Sequence, residues 1–74
     1  MRTSEFTVAV VSEFGEAYAP VVTKDVVLHE LGDRTAEQAL RDGVPPRDVW
    51  IALCEAQGVP ESRRHGVGLP RPPR

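Results

Sequence analysis

Apolar positions divide this chain into four short periodic segments, each closed by a stop residue. Phe6, Val10 and Phe14 recur at four-residue spacing, with Ala9 and Ala17 on the same side, which predicts a first helix from about Ser4 to Phe14. Thr3 or Ser4 is its expected cap, and Glu5 suits its positive end. The β-branched residues Thr7, Val8, Val10 and Val11 would also suit a strand. No second strand candidate is bounded by hairpin signals, so a helix ending at Gly15 is the expectation. Pro20 fits the first turn of a second helix, "PVVTKDVVLHEL", read as running to a left-handed stop at Gly32. On it Val21, Val27, Leu28 and Leu31 would share one face, with Val22 and Val26 widening the apolar surface.

After the turn "GDR", "TAEQ" reads as a capping box opening a third helix, about Ala36 to Asp42, with Ala36, Ala39 and Leu40 inward. Pro45 and Pro46 pre-set the backbone of a fourth helix, with Asp48 in its first turn. Its run "VWIALC" is apolar nearly all round, so this helix should lie at the centre. The triplet Gly-Val-Pro occurs at Gly43–Pro45 and again at Gly58–Pro60. Each is a helix stop: Gly turns left-handed, Val folds back on the last turn, and Pro blocks continuation. The expected architecture is therefore all-α, a compact bundle of about four short helices over residues 1–60. Residues 61–74, "ESRRHGVGLPRPPR", lack periodicity and are expected to form a flexible Arg/Pro-rich tail with polyproline character at "LPRPPR".

Length changes the picture first. Seventy-four residues make one domain whose core is marginal, because a chain this short buries only about 60% of its unfolded surface. The single cysteine, Cys54, excludes an internal disulfide. No secretory leader and no run near the ~20 apolar residues of a membrane span can be read, so a cytoplasmic location is expected. Charge is uneven: residues 1–60 hold five Lys/Arg against ten Asp/Glu, a balance of −5, and residues 61–74 hold four Arg against Glu61, a balance of +3. An acidic body repels a polyanion, which disfavours nucleic acid as the main partner.

Candidate chemistry is sparse. Counting from Thr35, Ala39 is fifth, Gly43 ninth and Val49 fifteenth, the small, turning and buried positions of a helix-turn-helix-like corner between helices 3 and 4. Gln38 and Asp42, however, occupy positions that the motif usually keeps apolar, and the would-be reading helix has one basic residue, Arg47. DNA readers use several Lys/Arg on phosphates and bases. A weak nucleic-acid surface would be Arg47 with Arg63, Arg64 and Arg71 of the tail. Cys54, His29 and His65 lack metal-ligand spacing, and a catalytic cysteine needs a base, an orienting group and a pocket that so small a bundle is not expected to hold. No catalytic residue, cofactor or metal is expected. Trp50 reads as a core anchor covered by Phe6 or Phe14; if exposed, it or Tyr18 would be a contact anchor for a protein partner, together with Arg63 and Arg64.

Taken together, "MRTSEF", "EFGEAYA", "KDVVLHELGDRTAEQAL" and "GVPPRDVWIALCEAQGVPESRRHG" resemble, in order and spacing, the actinobacterial family catalogued as domain of unknown function 3046, over roughly residues 1–66. Pro20 and "VVTK" are more apolar than that family's Arg-rich stretch, and "VGLPRPPR" looks like an addition. The resemblance implies a small cytoplasmic all-helical protein with no established activity and no assigned catalytic residues. It also implies an association with DNA repair, since such genes often neighbour those for the recombinase RecA and its regulator. The expected role is a protein–protein interaction or regulatory module. The alternative is weak nucleic-acid binding through the corner and the tail.

Overall fold

The structure, a computed structural model, describes residues 1–63. Among them are four α-helices: α1 (Thr3–Phe14), α2 (Ala19–Lys24), α3 (Ala36–Arg41) and α4 (Pro46–Ala56). A short antiparallel hairpin, β1 (Val27–Leu28) and β2 (Arg34–Thr35), joins α2 to α3, with Val27 opposite Thr35 and Leu28 opposite Arg34. The fold is compact and mostly helical, not purely helical. No helix of the described residues is long and apolar enough to cross a membrane.

The first segment is the helix its four-residue period predicts, not a strand. Its cap is one residue earlier than expected: the Glu5 carboxylate accepts from the Arg2 backbone N–H at 2.7 Å, so neither Thr3 nor Ser4 is the N-cap. Phe6, Ala9 and Val10 are buried and Phe14 packs against the core, but Ala17 lies beyond the helix and is exposed.

The second segment departs most from expectation. Its helix stops at Lys24 instead of reaching Gly32. Val26 and Val27 are β-branched and gain from extended backbone, and pairing in the hairpin lets Leu28 bury to 2% exposure while Val27 turns outward. A 3-10 turn at His29–Leu31 and two successive left-handed residues, Gly32 (φ 74°) and Asp33 (φ 59°), close the loop. Gly32 is thus a left-handed stop, but of a 3-10 turn.

The later elements follow their signals closely. The Thr35 hydroxyl accepts from the Gln38 N–H at 3.2 Å, and the Gln38 side-chain oxygen accepts from the Thr35 N–H at 3.0 Å. Both Gly-Val-Pro triplets form the same device. After α3, the N–H of Val44 donates to Ala39 C=O (2.9 Å) and that of Gly43 to Leu40 C=O (3.2 Å). After α4, Val59 donates to Cys54 (2.9 Å) and Gly58 to Glu55 (3.2 Å). These are paired Schellman stops, with Gly43 at φ 95° and Gly58 at φ 70°. Val59 is buried and Val44 packs against the core.

α4 is central, burying Val49, Trp50, Ala52, Leu53 and Cys54. Phe6 of α1 meets Trp50 edge-on, with ring centroids 6.4 Å apart and planes at 86°, the favoured aromatic geometry. Ala36 and Ala39 of α3 are fully buried, so α3 and α4 approach closely. A final 3-10 turn, Glu61–Arg63, carries the described chain past the expected end of the domain at residue 60.

Candidate functional site

An open groove of about 500 Å³ lies between α1, α2 and α3, and Cys54 is not among the residues that line it. Phe6 and Val10, almost fully buried, form its floor; Val11 and Leu40, half-buried, flank it, and Ala19 and Pro20 contribute from α2. α1 has twelve residues and α2 six, about 18 Å against about 9 Å, and the groove is lined by α2 from Ala19 to Lys24.

The groove is chemically plain. The Thr7 hydroxyl donates to Thr3 C=O at 3.2 Å and the Thr23 hydroxyl to Ala19 C=O at 3.0 Å, so both donors are engaged within their own helices. Four charged side chains line it: Glu16, Lys24, Glu37 and Arg41. Glu37 accepts from Arg41 Nη2 at 2.8 Å and lies 4.0 Å from Lys24 Nζ. The lining holds no His, Cys, Ser or Tyr; its hydroxyls are those of Thr3, Thr7 and Thr23, and its Glu37 carboxylate is paired with Arg41 and Lys24.

The residues singled out in the sequence fall elsewhere. Trp50 is 1% exposed, which removes it as a contact anchor and leaves the core reading. Tyr18 is 46% exposed and packs obliquely on Phe14 at 6.3 Å, but it does not line the groove. Arg63 Nη2 lies 3.4 Å from the Glu13 carboxylate of α1, so this tail residue is engaged by its own domain. Arg47 is exposed on α4 beside Asp48, Ile51 and Glu55, an outward face with a net charge of −1. Arg64, His65 and Arg71, with the other residues of the expected tail from 64 to 74, lie outside the described residues.

Cys54 is fully buried, whereas the exposed His29 ring contacts the Asp33 carboxylate. Among the described residues no group of three or more His, Cys, Asp or Glu could hold a metal ion. A second, smaller hollow of about 200 Å³ lies between the hairpin and α4, lined by Val27, Glu30, Ala52 and Glu55 among others. There the Glu30 carboxyl is held above its ordinary range, chiefly by a hydrogen bond with the Glu55 side chain and then by that carboxylate's charge.

No sequence signal marked the groove. Leu40 reads as an inward position and Val11 only as one of the β-branched residues of the first segment, and both are half-buried. Neither a curated protein nor a solved structure matches the chain. The sequence model of the family described as Protein of unknown function (DUF3046) matches residues 1–62, and on that match, which spans all but the last residue of the described fold, the chain belongs to this family.

Proposed function

We propose that this protein is a non-enzymatic protein–protein interaction module that receives an apolar segment of a partner in the groove between α1, α2 and α3. The observation that carries the reading is the groove itself: a hollow of about 500 Å³ with a largely apolar surface, on a chain of 74 residues, lined by no His, Cys, Ser or Tyr. Patches of this kind, rimmed by polar side chains, are the usual mark of an interaction site. The helix 3–helix 4 corner supports nucleic-acid binding poorly, because α4 presents Asp48 and Glu55 around Arg47.

The test is a titration of isotope-labelled protein with candidate partners, read by amide shifts. Because the family resemblance ties such genes to those for RecA and its regulator, those two proteins are the first to titrate. Binding should shift the amides of Val11, Thr23 and Leu40, and Leu40→Asp, a change at a half-exposed position, should abolish it while the far-ultraviolet spectrum stays unchanged. Partner-induced shifts centred on Val27 and Ile51 instead would refute the groove as the site. Fluorescence anisotropy with duplex and single-stranded DNA at ~50 mM salt covers the alternative; binding there that collapses at ~200 mM would favour the basic residues over the groove.

A further inference from the structure

The shape and charge of the groove specify the conformation of its occupant. We infer that it takes a helical segment of a partner protein, about two turns long, with one acidic end and one basic end; this rests on the groove being the docking site.

The walls decide the conformation. An extended peptide that binds by strand addition needs an exposed sheet edge with unpaired backbone groups, and this groove is walled by helices, whose backbone groups are bonded internally. A polyproline ligand needs an aromatic-lined groove, and the lining holds a single aromatic, Phe6, which is 2% exposed. A docked helix needs only apolar side-chain contacts. The lining on α1 runs from Thr3 to Val11, a rise of about 12 Å, and anchors at i, i+4 and i+7 of an incoming helix span about 10.5 Å.

The rim decides the charge. Residues 1–63 hold six Lys/Arg against eleven Asp/Glu, a balance of −5, which taken alone would favour a uniformly basic partner. The groove departs from that average. Lys24 closes α2, and with Arg41 it flanks Glu37, so two cations share one anion at that end. The Lys24 pair is loose, at 4.0 Å with the lysine 63% exposed, so this ammonium is available to an incoming carboxylate. Glu16 lies on the other side of α2, before its first turn, and is exposed. An acidic residue therefore belongs at the Lys24–Arg41 end of the occupant and a basic one near Glu16. At physiological salt the screening length is about 8 Å, so these contacts outweigh the diffuse charge of the body.

Three synthetic helical peptides of equal helicity, with leucines at i, i+4 and i+7, test this against the full chain at ~150 mM salt. One carries Glu at one end and Lys at the other, one carries Lys at both ends, and one carries Glu at both. The mixed peptide should bind at least about threefold more tightly than either of the others, as exposed ion pairs allow, with shifts at Val11, Thr23 and Leu40. Lys24→Glu should erase its advantage over the doubly basic peptide. Tightest binding by the doubly basic peptide, or equal binding by all three, overturns the inference. If no peptide shifts these amides but a partner protein does, the helical occupant is wrong and the groove stands; if neither does, both readings fall.

Discussion

Replacing Gly43 with alanine isolates the energy of a left-handed helix stop, because nothing else changes. A Cβ built on Gly43 meets no atom within 4 Å, so no steric clash contributes; only the φ of 95° opposes an L side chain. Left-handed backbone costs an alanine about 1–2 kcal/mol, and loss of glycine's freedom in the unfolded chain returns about 0.4–1 kcal/mol. The net destabilisation should be about 1 kcal/mol, lowering the midpoint of thermal unfolding by about 4–8 °C in a domain of this size. Gly58, also open and at φ 70°, should behave alike. The two stops lie at opposite ends of the eleven-residue α4, about 16 Å apart, so Gly43→Ala and Gly58→Ala should add to about 2 kcal/mol. Gly43→Asn should cost less than Gly43→Ala, since asparagine tolerates this region. Urea unfolding monitored by circular dichroism reads all four variants. A Gly43→Ala protein as stable as the parent, or an asparagine variant weaker than the alanine one, would refute the reasoning.

Other expected outcomes follow from the core, a cap and a carboxyl pair. Leu53 is fully buried on α4, and Leu53→Ala should cost about 2–5 kcal/mol, a large share of the roughly 4–11 kcal/mol expected for the whole domain, seen as a fall in the urea midpoint. Thr35→Ala should lose about 1 kcal/mol in the same assay and Thr35→Ser almost nothing, because serine keeps the hydroxyl that accepts from Gln38. Glu30 binds its proton more tightly folded than unfolded, so its favourable contribution is complete at low pH and is lost as pH rises through the raised value. Glu30→Gln should therefore gain stability relative to the parent between about pH 4 and about pH 7, and a difference flat across that range would show that Glu55 does not perturb it.

Local chemistry made much of this fold legible. The Thr35–Gln38 box, the two Gly-Val-Pro stops and the apolar run of α4 act within a few residues of themselves, so spacing alone specifies them. Trp50 as a core residue follows for the same reason, since a helix apolar on most sides must be enclosed. The region after Lys24 was not legible. "VVTKDVVLHEL" satisfies helical periodicity, but its β-branched valines suit extended backbone equally, and long-range burial of Leu28 beside α4 settles between the two. That tertiary choice shortens α2 to six residues, and the groove lined by α1, α2 and α3 is a property of how the helices pack. The sequence by itself determined where α3 and α4 start and stop, because their caps and stops are local. Only the packed structure decided which apolar surface stays open, because exposure depends on elements distant in the chain.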